Sequence, residues 1–119
     1  MEGFVKGDII VIDFPFSNLK ESKRRPVLVL RVPKSGDVIV NQITGSSYEK
    51  SVEILINDSD FKQGSLKRDS FVRIDKIGSI EKSLIKYKIG SLKQEKFNKI
   101  IDEVCSFSFS FNCSLNGMN

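Results

Sequence analysis

The feature that most restricts the fold of this chain is a succession of short apolar runs broken by turn-forming residues. Runs of this length, rich in Ile and Val, are typical of β-strands. The predicted strands are Asp8–Phe14, Pro26–Val32, Val38–Thr44, Val52–Ile56, Ser70–Ile77 and Tyr87–Ile89. The intervening polar segments, chiefly Ser17–Lys23, Gly45–Ser51 and Asn57–Asp69, are predicted to be loops. Many short strands with few helices predict a strongly curved sheet or a small SH3-like barrel.

One helix is predicted near the C-terminus. Ser91 and Gln94 have the spacing of a capping box, and apolar residues then recur at helical spacing. Those residues are Phe97, Ile100, Ile101, Val104 and Cys105. A short helical turn is predicted at Ile80–Lys86. We expect one domain over residues 1–105 and a tail over 106–119, whose alternating Phe and Ser residues can add a strand, form a contact surface or fray.

Composition excludes several classes of protein. The 119 residues include 19 Lys and Arg against 15 Asp and Glu, a net charge of +4 that suits a nucleic-acid partner without requiring one. The chain has no His, which excludes a His-based nuclease or a Ser-His hydrolase. Cys105 and Cys113 are too few for a disulfide framework and match no zinc pattern, so no metal or cofactor is expected. No segment is long and apolar enough for a membrane span or a signal peptide, and a cytoplasmic location is expected.

The first candidate site is a basic cluster where a polar loop enters a buried strand. It comprises Lys20, Lys23, Arg24 and Arg25, with only Glu21 opposing them. The fork of donors on Arg suits a phosphate, and a strand entrance would fix its position. A solvated basic loop explains the cluster equally simply.

Two further candidates lie where strands end or begin. A hydroxyl in Thr44-Gly45-Ser46-Ser47 could donate to a phosphate oxygen, and Gly45 would allow close approach to the backbone. Asp69 and Ser70 could support such a site. Ordinary turns account for both segments as well.

In order along the chain, these segments resemble the MazF/PemK family of toxin–antitoxin ribonucleases. The resemblance is carried by GDIIVIDFPF at Gly7–Phe16, KRRPVLVL at Lys23–Leu30, NQIT at Asn41–Thr44 and LKRDSFVRIDKIGSIEKSLIKYKIGSL at Leu66–Leu92. It implies a small SH3-like barrel with a C-terminal helix, usually a homodimer. It also implies metal-independent cleavage of single-stranded RNA, restrained by a cognate antitoxin.

The resemblance implies roles for individual residues. The family's catalytic Arg and Thr fall on Arg25 and Thr44. RNA contacts are expected from Lys20, Lys23, Arg24, Ser46, Ser47, Tyr48 and Lys76, with support from Asp69 and Ser70. The chain departs from the family at Gly78, where relatives often carry an Arg, and Lys76 is the candidate to replace that charge.

Two other functions fit the same fold. Some toxins of this shape poison DNA gyrase and cleave nothing, and a noncatalytic RNA-binding barrel would also carry a basic loop. The Arg-Pro motif with a downstream Thr favours cleavage. Incubating RNA with the purified protein in EDTA would distinguish cleavage from these alternatives.

Overall fold

The computed structural model describes residues 3–15 and 22–117, with side chains at 3–13 and 24–107. Over these residues the chain forms seven strands and one long helix. They are β1 (Asp8–Pro15), β2 (Ser22–Arg31), β3 (Val38–Thr44), β4 (Glu53–Ile56), β5 (Phe61–Gly64), β6 (Ser70–Ile80), β7 (Ile85–Leu92) and α1 (Gln94–Gly117). The strands form one antiparallel sheet in the order β4-β6-β3-β2-β1-β7-β5. The sheet curls into a half-barrel, which confirms the predicted mainly-β class with a C-terminal helix.

The sheet buries apolar residues on both faces. Successive side chains of a strand point to opposite faces, so Val27 and Val29 of β2 join one core cluster while Leu28 joins the other. Helix α1 covers the Leu28 side with Phe97, Ile100 and Val104. Burial on both faces explains why β2 is apolar without alternation.

The predicted loop Asn57–Asp69 is wrong in part, because it contains β5. This strand pairs with β7, where Gly64 lies opposite Gly90. Gly64 has a φ of +74°, and a Cβ on it would collide with the backbone of Ile89. Two facing glycines therefore permit a close strand contact that periodicity did not reveal. Strand β7 is correspondingly longer than the predicted Tyr87–Ile89.

The predicted capping box at Ser91 is also wrong. Ser91 is a buried residue of β7, and its hydroxyl donates to Asp8 Oδ1 at 2.6 Å. The helix starts at Gln94 instead, after Lys93, whose backbone N–H donates to the Asp60 carbonyl and whose carbonyl accepts from Phe97 N–H. The short helical turn is confirmed as a 3₁₀ turn at Lys82–Leu84.

Helix α1 continues through most of the segment predicted as a tail. The boundary expected at residue 105 falls inside the helix, which extends to Gly117. Cys105 is exposed, contrary to its predicted place in the core, because Ile100 and Val104 occupy the buried face. The side chains of Phe109, Phe111 and Cys113 lie outside the described residues. Among the helices that are described, none is both long and apolar enough to cross a membrane.

Candidate active site

An open cleft of about 550 Å³ lies at the end of the sheet where β2 begins and β3 ends. Its walls come from β2, β3, the β5–β6 connection, the start of β6, and β7. The lining residues are Arg24, Arg25, Pro26, Ile43, Thr44, Gly45, Ser65, Leu66, Lys67, Arg68, Ser70, Tyr87 and Ile89. Residues distant in sequence therefore meet in one concave surface.

Strand pairing brings the two predicted catalytic residues to this cleft. In the antiparallel register of β2 and β3, Val27 lies opposite Gln42. The same register continued by two residues sets Arg25 level with Thr44. Both residues line the cleft. Thr44 is the last residue of β3, and Arg25 lies within β2 and pairs with Ile12 of β1, so the sheet fixes both backbones.

The charge around the cleft is positive. Arg24, Arg25, Lys67 and Arg68 line it, and no carboxylate does so among the described residues. Arg24 is partly engaged, since its Nε lies 3.6 Å from Asp13 Oδ1, but its side chain is 63% exposed and such a pair is weak. Four cations grouped in a cleft that no described carboxylate lines favour an anionic ligand such as a phosphodiester.

Thr44 has its hydroxyl in a local turn. Thr44 Oγ1 donates to the carbonyl of Ser46 at 3.2 Å and accepts from the Ser46 N–H at 3.3 Å. Both bonds are long. The hydroxyl hydrogen can rotate toward a ligand while Oγ1 keeps accepting from the Ser46 N–H.

The loop that follows Thr44 is held by Glu53. This carboxylate accepts from the Ser47 hydroxyl at 2.7 Å and from the backbone N–H groups of Tyr48 and Glu49. Burial opposes ionisation of Glu53, but these hydrogen bonds and nearby Arg73 together lower its pKa. The loop is therefore anchored while Glu53 is ionised.

The ring of Tyr48 packs against Arg73, which is paired with Asp75. Its ring is 73% exposed, and the Arg73 guanidinium lies 5.6 Å from the ring centroid. Arg73 in turn makes a bidentate pair with Asp75, at 2.9 and 2.8 Å, and these bonds lower the pKa of Asp75 and raise that of Arg73. The ring thus presents a supported, solvent-facing aromatic surface beside the loop.

The structure brings together some of the predicted site residues and not others. Arg24, Arg25, Thr44 and Ser70 line the cleft. Ser46, Ser47, Tyr48, Asp69 and Lys76 do not line it. The side chains of Lys20 and Lys23 lie outside the described residues.

Sequence reasoning missed the wall formed by the β5–β6 connection. Lys67 and Arg68 lie in this wall, and Tyr87 faces the cleft from β7. The available signal was the basic pair Lys67-Arg68, which precedes Asp69 in the segment Leu66–Leu92 that resembles the family. Both residues fall in Asn57–Asp69, which its polar composition predicts to be a loop, because β5 gives no periodic apolar signal.

Comparison with known proteins gives one family. Residues 5–107 match the family described as PemK-like, MazF-like toxin of type II toxin-antitoxin system. A search of curated proteins gives no significant match.

Solved structures share the fold at low sequence identity. A mycobacterial endoribonuclease in complex with its cognate antitoxin superposes with a TM-score of 0.69 at 16% identity, covering 87% of this chain and 93% of its own. A second mycobacterial endoribonuclease gives 0.67 at 16% identity, with 89% and 91% covered. The Mycobacterium tuberculosis toxin MazF-mt6 gives 0.63 at 21% identity, with 85% and 96% covered.

Proposed function

We propose that this chain, which belongs to the PemK-like, MazF-like family of toxins of type II toxin–antitoxin systems, cleaves single-stranded RNA in the cleft between β2 and β3. Membership follows from the match over residues 5–107, and it makes the chain a toxin of such a system. The observation that carries the cleavage proposal is that Arg25 and Thr44 line the same cationic cleft, which no described carboxylate lines. The endoribonucleases that share the fold support the same reading.

The proposed reaction uses the ribose 2′-OH as nucleophile. Its attack on the adjacent phosphorus forms a phosphorane, and loss of the 5′-oxygen then leaves a 2′,3′-cyclic phosphate and a 5′-OH. Arg25 and Thr44 act as donors to the non-bridging oxygens, where negative charge increases in the transition state. Donors fixed by the sheet need little rearrangement during the reaction.

Proton transfer falls to other groups or to water. An arginine side chain keeps its proton near neutral pH, so Arg25 is a poor general base there. We therefore assign Arg25 to charge stabilisation. The Thr44 hydroxyl joins it by turning its hydrogen from the Ser46 carbonyl to a phosphate oxygen.

The RNA is expected to extend from the cleft over the neighbouring loops. Tyr48 offers an exposed ring on which a base can stack, and Ser46 and Ser47 lie in the same loop. We expect Lys20, Lys23 and Arg24 to add contacts to the RNA backbone. Lys76 and Asp69 also lie outside the cleft lining.

The test is cleavage of a long RNA by purified protein with EDTA present. We expect discrete cuts whose upstream fragments end in a 2′,3′-cyclic phosphate and whose downstream fragments begin with a 5′-OH. The same RNA with a 2′-deoxy residue at a mapped cut should resist cleavage there. RNA binding without cuts would instead support a noncatalytic barrel, and inhibition of DNA gyrase without cuts would support a gyrase poison.

We also propose an acidic, partly disordered antitoxin that occupies this cleft. One structural neighbour was solved as an endoribonuclease with its cognate antitoxin, and the cleft here carries the positive charge that an acidic segment would meet. Folding on binding would let such a segment cover a large surface and displace RNA. We expect the cognate antitoxin, titrated into a mixture of this protein and RNA, to reduce the affinity of the protein for the RNA. Independent binding of both ligands would contradict this.

A homodimer stays a prediction of the resemblance, and a cytoplasmic location stays a prediction from the sequence. The two edge strands, β4 and β5, are each four residues long, so dimer formation need not rely on edge pairing. Light scattering at micromolar concentration tests the dimer, and a monomer would contradict it.

A further inference from the structure

A guanidinium outside the predicted site lies across the backbone at Gly45. The side chain of Arg68 packs on this glycine so closely that a Cβ at position 45 would collide with Arg68 Nη2 and lie 2.9 Å from Cζ and Nε. Gly45 does not adopt a left-handed φ, so its conformation is open to other residues. Glycine is required here because any side chain at position 45 would enter the space that the Arg68 guanidinium occupies.

This guanidinium has no acceptor within the described part of its own chain. No hydrogen bond or ion pair of the Arg68 side chain is present there, although its backbone carbonyl accepts from the Ser70 hydroxyl. Arg73, by contrast, makes a bidentate pair with Asp75, and Arg24 lies 3.6 Å from Asp13. The donors of Arg68 are thus available to an anion in the cleft.

We propose that Arg68 is a phosphate-binding residue and that Gly45 is the seat that holds its guanidinium next to Thr44. This rests on the proposed function and specifies how the cleft binds a phosphodiester. The planar fork of Arg68 donates two N–H groups to the non-bridging oxygens, in addition to the donors from Arg25 and Thr44. Lys76, which the sequence suggested as the compensating cation, does not line the cleft, whereas Arg68 does.

Binding is measured with a fully 2′-O-methylated single-stranded RNA of mixed sequence. It has no free 2′-OH and cannot be cut by the proposed reaction, so affinity is separated from activity. Arg68→Ala should weaken binding about tenfold, equivalent to about 1.4 kcal/mol, because charge-assisted hydrogen bonds to the phosphate are lost. The slope of log affinity against log salt should fall by about 0.7, as expected for one lost contact to a single strand. Arg68→Lys should keep the slope and recover affinity only in part.

Gly45→Ala tests the seat without changing charge. The colliding atoms are the far end of a flexible side chain, so the fold should survive while Arg68 is displaced. Affinity should fall several-fold in the wild-type background and not at all in the Arg68→Ala background, since the two changes remove one interaction. Arg31→Ala, an exposed arginine at the other end of β2, controls for loss of one charge and should leave binding unchanged.

Each result decides the proposal. If Arg68→Ala binds RNA with the affinity and salt slope of the wild type, the proposal for Arg68 is wrong. This holds even when the wild type cuts RNA and the proposed function stands. Equal losses from Gly45→Ala in both backgrounds overturn the role of the seat. Weakened binding in Arg68→Ala, with a wild type that cuts nothing, supports the phosphate assignment and contradicts cleavage.

Discussion

Replacing Arg25 by alanine is expected to lower the rate of RNA cleavage about 10²–10³-fold, the usual cost of removing one preorganised donor to a developing oxyanion. Affinity for RNA should fall much less, because one phosphate contact is a small part of the electrostatic attraction of a cationic cleft. The fold should survive, since Arg25 is exposed at the start of β2. Single-turnover rates on a mapped RNA, with circular dichroism of each variant, measure the effect.

Matched variants identify the source of that loss. Arg25→Lys should recover only part of the rate, because a point charge lacks the planar fork. Arg31→Ala removes an exposed arginine from the far end of the same strand and should cleave normally. Arg24→Ala should weaken binding modestly. If Arg24→Ala abolished cleavage while Arg25→Ala did not, the assignment carried over from the family would be wrong by one residue.

Thr44 needs a different control because its hydroxyl also organises the loop after β3. Thr44→Val removes both the donor to phosphate and the bonds with Ser46. Thr44→Ser retains the hydroxyl and should retain most of the rate. A slow Thr44→Ser variant would mean that the methyl group matters more than the donor.

Periodicity predicted the parts of the fold that bury many side chains. β2 and β3 were recognised because both faces of the curled sheet are buried and their apolar runs are long. The predicted end of β1 at Phe14 is wrong, because Pro15 belongs to the strand and pairs with Ser22 of β2. Strand β7 pairs with β1 only as far as Ile12, and a proline is tolerated where one side of a strand is not paired. Strand β5 was missed because its pairing depends on Gly64 and Gly90, which carry no hydrophobic signal.

The site was predictable only where one local motif supplies the residue. Arg25 and Thr44 stand in motifs next to strand ends, so the sequence alone indicated both as a prediction. Arg68 was not indicated, because its place in the cleft depends on how the β5–β6 connection returns across Gly45. The sequence predicts that Gly45 lets a ligand approach the backbone closely, whereas the group that packs on it is the Arg68 side chain of the same protein.

A buried aspartate joins the N-terminal turn to β7, the strand that pairs with its own. Asp8 is 1% exposed, and its carboxylate accepts from the Val5 N–H at 2.8 Å and from the Ser91 hydroxyl at 2.6 Å. Lys88 Nζ lies 3.5 Å away. The bond from Ser91 joins two strands that are distant in sequence, and the bond from Val5 closes the turn that precedes β1. This explains the acidic residue that begins an otherwise apolar strand.

Asp8→Ala is expected to lower the free energy of unfolding by about 3 kcal/mol, because it leaves a buried hydroxyl and a backbone N–H without their charged acceptor. Asp8→Asn keeps an acceptor oxygen and should cost less, and Ser91→Ala, which removes a single donor, about 1 kcal/mol. Urea titrations followed by circular dichroism measure the order, since the chain has no Trp. Asp37→Ala, in the exposed turn before β3, should stay within about 0.5 kcal/mol of the wild type. An Asp8→Ala variant as stable as Asp37→Ala would show that water replaces the carboxylate, and the network would then be no support for the sheet that carries Arg25.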